Sequence, residues 1–177
     1  MKHKNIKQII KEYFFVNPSA KLRVRQIERE LKLPLPSVIN YVKELEKEEL
    51  LSKSKIGNVV FCTSNRSSKK FLLEKRLFNI KMLYSSGLVD FLVVELSNPS
   101  IILFGSSSKG EDIENSDIDL YLETSSKKEL RFEKFEKILK RKIQIFKYSN
   151  ISQIKNKPLA NNIINGIGLN GFVEVLK

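Results

Sequence analysis

Asp117 and Asp119 stand in the run "SDIDLYLE", where Ile118, Leu120 and Leu122 alternate with Asp117, Asp119, Tyr121 and Glu123. Read as a strand, that alternation puts both aspartates on one face, ~6–7 Å apart. Two carboxylates at that separation suit magnesium, which takes hard oxygen ligands and holds triphosphate oxygens. A pair of metals can activate an attacking oxygen and neutralise a leaving pyrophosphate in an in-line displacement. D-x-D on a strand equally fits the polar face of an edge strand, so the neighbouring residues must decide.

Upstream, "SIILFGS" reads as a short buried strand ending in Gly105. A backbone that turns at a glycine exposes N–H groups to which a phosphate can come close. Gly105 and Gly110 have Walker A spacing, but Glu111 and Asp112 stand where the lysine and the hydroxyl should be, which excludes an ordinary P-loop. There is no G-x-S-x-G nucleophile elbow, and the lone histidine, His3, is a poor catalytic base so close to the start of the chain.

The order is a hydrophobic strand, Gly105-Ser106, a loop with Lys109-Gly110-Glu111, then Ser116-Asp117-Ile118-Asp119-Leu120. It resembles the nucleotidyltransferases of the DNA polymerase beta superfamily, and within them the minimal nucleotidyltransferase group. The resemblance covers about residues 100 to 148, with a weaker likeness in "PLANNIINGIGLNGFVEV". It implies that Gly105 and Ser106 hold the phosphates of an NTP, expected to be ATP, with Lys109 and Ser116 among the nucleotide-binding residues. It implies that Asp117 and Asp119 are catalytic and ligate Mg2+. A nucleoside monophosphate would pass to an acceptor hydroxyl with release of pyrophosphate. The group often acts with a partner protein as antitoxins, which makes a protein acceptor or a toxin partner the expectation by analogy.

The family usually has a third carboxylate on a later strand. Here that strand is "RKIQIFKYS", in which Ile143 and Ile145 face the core and Gln144 takes the position of the acid. An amide is a weaker magnesium ligand and cannot accept the acceptor's proton. Three explanations stay open: a different register, service by another acid such as Glu123, or lost catalysis with nucleotide binding kept.

The elements that must position these residues lie in a chain of 177 residues carrying a formal net charge of +12. Residues 1 to 70 hold +9 of that charge and the remainder only +3, which points the first part toward a polyanion. Cys62 is the only cysteine, so an internal disulfide and a cysteine zinc site are both excluded, and Cys62 itself reads as a small core residue. No apolar run is long enough to span a membrane and no secretory signal is present, so a cytoplasmic protein is expected.

The polar stretch "SNRSSKK", residues 64 to 70, separates two halves. Before it, Ile6, Ile9, Ile10, Tyr13 and Phe14 mark one amphipathic helix, and Val24, Ile27 and Leu31 a second. Pro36 opens a third with Val38, Val42 and Leu45 inward, and "LLSKSKIGNVVFCT" reads as a hairpin. Three helices and a hairpin resemble a winged helix-turn-helix over residues 5 to 63. In such a module Ser37, Asn40, Tyr41 and Lys43 of the third helix face base edges. Arg23, Arg25, Lys53 and Lys55 suit phosphates. A protein-interaction or dimerisation module is the alternative.

After the boundary, Leu73, Leu77, Ile80 and Tyr84 share one helical face, and "LVDFLVVELSNP" follows as a second helix. Phe132, Phe135, Ile138 and Leu139 are expected to cover the sheet, the neighbouring lysines being a solvated face. Pro158 opens a last helix and "GFVEVL" closes the sheet.

The expected fold is α+β. A winged helix-turn-helix at 1–66 precedes a mixed nucleotidyltransferase-type sheet at 67–177, with helices on one side. Two functions follow: a transferase tethered to a DNA-binding module, or a DNA-binding regulator that senses a nucleotide, and winged-helix regulators commonly form homodimers.

Overall fold

The computed structural model describes residues 5–175; His3 lies outside them. The chain divides into two compact units, one ending at Phe78 and the other beginning at Asn79. The division falls inside a helix, beyond the polar stretch at 64–70 where the composition changes.

The first unit opens with α1 (Ile6–Val16), α2 (Val24–Leu31) and α3 (Leu35–Lys47). Asn5 caps α1 by accepting the Lys7 N–H at 3.0 Å, and Gln26 reaches back to accept the Arg23 N–H at 2.8 Å at the start of α2. Pro36 sits in the first turn of α3, where its missing N–H leaves no bond unmade. Ile10, Phe14, Ile27, Val38, Val42 and Leu45 form the buried core, as their spacing requires.

A hairpin of β2 (Leu51–Ile56) and β3 (Val59–Ser64) follows α3. A two-residue strand, β1 (Lys21–Leu22), pairs with β3 and gives the order β1-β3-β2; so short a strand has no periodicity to read in a sequence. Cys62 is buried in this core, and burial pushes its thiol above the ordinary range.

Ser68 accepts the N–H groups of Lys70 and Phe71 at the start of α4 (Lys69–Ser85). The expected apolar face of α4 is not its buried face. Leu73 and Leu77 are each 55% exposed and Tyr84 44%, whereas Phe71 and Leu83 are buried. Apolar residues occur all round this helix, so spacing alone does not select the inward side.

The second unit continues with α5 (Leu88–Glu95), β4 (Ser100–Phe104), α6 (Gly105–Lys109) and β5 (Ile118–Glu123). Then come α7 (Glu133–Leu139), β6 (Ile143–Tyr148), a 3-10 turn at Ile151–Gln153, α8 (Lys157–Ile164) and β7 (Ile167–Asn170). The sheet is mixed, ordered β6-β5-β4-β7, with β5 and β6 parallel and the other neighbours antiparallel.

One face of the sheet carries Ile101, Leu103, Ile118, Leu120 and Leu122 against α5 and Phe135. The opposite face carries Ile102, Phe104 and Tyr121, and Ile151, Ile154 and Ile163 cover it. Helices on one side only is therefore corrected: α8 and the 3-10 turn bury part of the second face. Ile138 is also corrected, being 45% exposed on α7 while Phe135 is buried. The closing strand is "IGLN" rather than "GFVEVL", because Gly171, in the left-handed region at φ +61°, turns the chain away after Asn170. Among the described residues no single helix is long and apolar enough to cross a membrane.

Candidate functional site

β4 delivers the chain to Gly105, whose φ of +69° lies in the left-handed region where a side chain is strained. Conformation is only half the reason for glycine here. A β-carbon at this position would overlap Oδ2 of Asp119, and the Asp119 carboxyl carbon is 3.2 Å from the same point. The antiparallel register pairs Phe104 with Asp119, so the turn leaving β4 runs across that carboxylate. Gly105 and Asp119 are thus packed in direct contact.

From Gly105 the backbone enters α6, and first-turn N–H groups of a helix have no partners within it. Gly110, at φ +75°, ends α6 by donating its N–H to the Ser106 carbonyl. Ser107 and Ser108 are buried. The Ser108 hydroxyl donates to the Gly105 carbonyl at 2.8 Å and that of Ser107 to the Asp117 carbonyl at 3.4 Å. Asn79 of α4 braces the far end, its amide donating to the Ser107 carbonyl at 3.0 Å and to Asp112 Oδ1 at 2.7 Å. Ser107, Ser108, Asn79 and Asp112 hold the loop in shape and went unrecognised in the sequence. The run of three serines beside Gly105 was the available signal.

Asp117 is exposed and Asp119 half-buried. Burial pushes the Asp119 carboxyl above its ordinary range, and the charge of Asp117 pushes it further. A partly buried carboxylate with a second one beside it, at the mouth of a glycine-serine turn, is a set of hard oxygen donors of the kind a hard cation takes. Ser106 is half-buried on α6. Lys109 lies exposed at the opposite end of α6 from Gly105. Ser116 accepts the Ile113 N–H at 2.9 Å and closes the turn before β5.

The parallel register places Gln144 opposite Asp119, as its place in the alternation suggested. Glu123 does not substitute for it. Its Oε2 accepts the hydroxyl of buried Tyr121 at 2.7 Å and the Ile151 N–H at 2.9 Å, which fastens the 3-10 turn to the sheet. Burial, with Glu123 adding to it, holds the Tyr121 phenol protonated far above neutrality. Among the described residues no three His, Cys, Asp or Glu side chains group to hold a metal.

Beside Asp117 opens a cleft of about 550 Å³ whose wall includes Lys137, Lys140, Arg141 and Lys142. Lys140, at φ +54°, ends α7 and turns the chain toward β6, so three consecutive cations round one corner. Glu136 belongs to this wall. It accepts the Ile143 N–H at 3.1 Å and pairs with Lys142 at 3.0 Å, and these two contacts hold its carboxyl below the ordinary range.

In the first unit Asn40 and Lys43 are exposed on α3, Ser37 is half-buried, and Tyr41 packs partly against the core. Arg23 lies over the Phe61 ring at 5.6 Å, and Arg25 and Lys55 are exposed. Lys53 is paired with Glu46, and Lys7 with Glu44 and Glu48, so the acidic end of α3 is largely neutralised from within.

Residues 87–166 match the family model of the nucleotidyltransferase domain. That span holds β4, α6, β5 and β6, with Gly105, Asp117, Asp119 and Gln144 inside it, and the match supports a nucleotidyltransferase. No curated protein and no solved structure gives a significant match.

Proposed function

We propose that the second unit binds a magnesium–NTP complex and moves the nucleoside monophosphate to an acceptor, and that the first is a winged helix-turn-helix that binds DNA. The observation that carries the transferase reading is the contact of Gly105 with Asp119, which sets a carboxylate directly against the glycine turn that leaves β4. Asp117 and Asp119 hold the metal, and the N–H groups at Gly105 and Ser106 donate to phosphate oxygens. Bound magnesium supplies charge neutralisation for the triphosphate and the leaving pyrophosphate. The test is pyrophosphate release from each of the four NTPs, with magnesium or with chelator. Release that requires magnesium and disappears in Asp117→Ala is the expected outcome, and release unchanged in that variant sinks the reading.

Gln144 opposite Asp119 favours one alternative, a DNA-binding regulator that binds the nucleotide without turning it over. Magnesium-dependent NTP binding with no pyrophosphate release under any acceptor distinguishes it. The helix order and hairpin support the DNA-binding half, together with the +9 balance of residues 1 to 70.

A further inference from the structure

Leu73, Leu77, Ile80 and Tyr84 follow one another along α4 at intervals of four, three and four residues, the spacing of a coiled-coil seam. At about 100° of rotation per residue they fall within roughly 60° of the helix surface. The helix commits its opposite side to the interior through Phe71 and Lys75, both buried. The seam stays open: Leu73 and Leu77 are each more than half exposed, and Tyr84 is 44% exposed with its hydroxyl donating to the Leu169 carbonyl at 2.6 Å. Ile80 alone of the four packs partly inward. A single exposed leucine is ordinary on a protein surface, but exposed apolar residues in this order on one helix form a strip suited to being covered.

The border of the strip decides what covers it. Lys69 and Arg76 run along one side and Lys70 and Lys81 along the other, and all four are exposed. Glu74, the only acid in α4, is held by Lys11 at 3.0 Å. A second copy of α4 would bring an equally cationic border to this one, and the two would repel. A lipid surface covers a broad apolar face of about 100° or more, whereas here cations close in on both sides of a narrow one. A helix with a matching narrow seam and the opposite charge on its flanks satisfies both the apolar residues and the border.

We propose that the free face of α4 is the docking surface for an amphipathic helix of another protein, one with apolar residues at the same spacing and aspartate or glutamate on both flanks. Its apolar side chains pack among Leu73, Leu77 and Tyr84, and its acids meet Lys69, Lys70, Arg76 and Lys81. None of these residues belongs to the candidate nucleotide site, so neither nucleotide transfer nor DNA binding is needed for the docking.

The experiment uses the full chain and two fluorescent synthetic helices of about four heptads each. Both carry leucine at the a and d positions; one has glutamate at every e and g position and the other lysine, so that like charges keep each from pairing with itself. Fluorescence anisotropy should rise with the glutamate helix alone, and the binding should weaken as salt is added. The Leu73→Asn, Leu77→Asn double variant should lose about tenfold or more in affinity for that helix. The Arg76→Glu, Lys81→Glu double variant should lose its preference for glutamate and turn toward the lysine helix, a reversal that loss of packing alone does not produce. All four changes are on exposed side chains, and a cooperative thermal transition confirms that each variant is folded. The comparison of the two helices on the wild type stands whatever the variants do.

Equal binding of the two helices, or no binding of the glutamate helix by the folded wild type, overturns the proposal. So does self-association in sedimentation that the leucine variant abolishes, which makes a second copy the occupant. Binding to vesicles of anionic lipid that the leucine variant abolishes overturns it as well, in favour of a membrane surface.

Discussion

The carboxylate of Asp119 packs against the α-carbon of Gly105, leaving no room for a side chain between β5 and the turn that leaves β4. Gly105→Ala therefore does two things at once. It places a residue with a side chain at φ +69°, which costs about 1–2 kcal/mol, and it drives the new methyl into Asp119. The expected result is a destabilised but folded protein in denaturant unfolding that no longer binds magnesium–NTP. Ser106→Ala, with no such collision, should leave stability nearly unchanged.

Asp119 is held at a disadvantage that a ligand would remove. Its folded pKa lies above the ordinary value, first because of burial and then because of Asp117, so the folded state binds that proton more tightly than the unfolded one. Stability is lost on this account as pH rises from the ordinary value of 3.8 through the raised one, and the loss persists at neutral pH. Asp119→Asn should then melt higher than wild type at pH 7, with the difference closing below the ordinary aspartate range. Wild type, unlike the variant, should gain stability when magnesium–NTP is added.

Asn79 braces the turn that follows Gly105, donating to the Ser107 carbonyl and to Asp112. Asn79→Ala leaves the Ser107 carbonyl and buried Asp112 each short of one donor, at a cost of about 1–3 kcal/mol in denaturant unfolding. Loss of α6 positioning should also weaken nucleotide binding, although Asn79 donates to no residue of the aspartate pair. Unchanged affinity in a destabilised Asn79→Ala protein would show that the brace serves folding alone.

Much of this arrangement was legible in the sequence because it rests on local chemistry. The alternation of Ile118, Leu120 and Leu122 gives β5 with Asp119 between its core-facing residues, whereas Asp117 falls one residue before the strand, and Gly105 announces a turn that other residues resist. Gln144 was placed by counting from Ile143. What was not legible depended on tertiary choices. The α4 stripe of Leu73, Leu77 and Tyr84 has helical spacing, yet the helix buries Phe71 and Leu83 instead. The chain after Asn170 alternates well in "FVEV", but the β4 edge is already taken by Ile167–Asn170 following α8. The lysines at the α7–β6 corner resemble any solvated face until the fold sets them beside Asp117.

For the first unit, the structure sorts the basic residues by their freedom to meet a phosphate. Arg25 and Lys55 are exposed, whereas Lys53 is committed to Glu46. Charge reversal at Arg25 or Lys55 should weaken binding to duplex DNA and lower the slope of log affinity against log salt by about 1 per contact removed. Lys53→Ala should change the slope less. The measurement is a salt titration of binding to a fluorescent duplex.

The most direct test of the central claim is calorimetric titration of magnesium–NTPs into the wild-type protein and into Asp117→Ala, each shown to be folded. Binding that needs magnesium and is lost in the variant is the predicted result. A folded wild type that binds none of the four NTPs would contradict it, for transfer and for sensing alike.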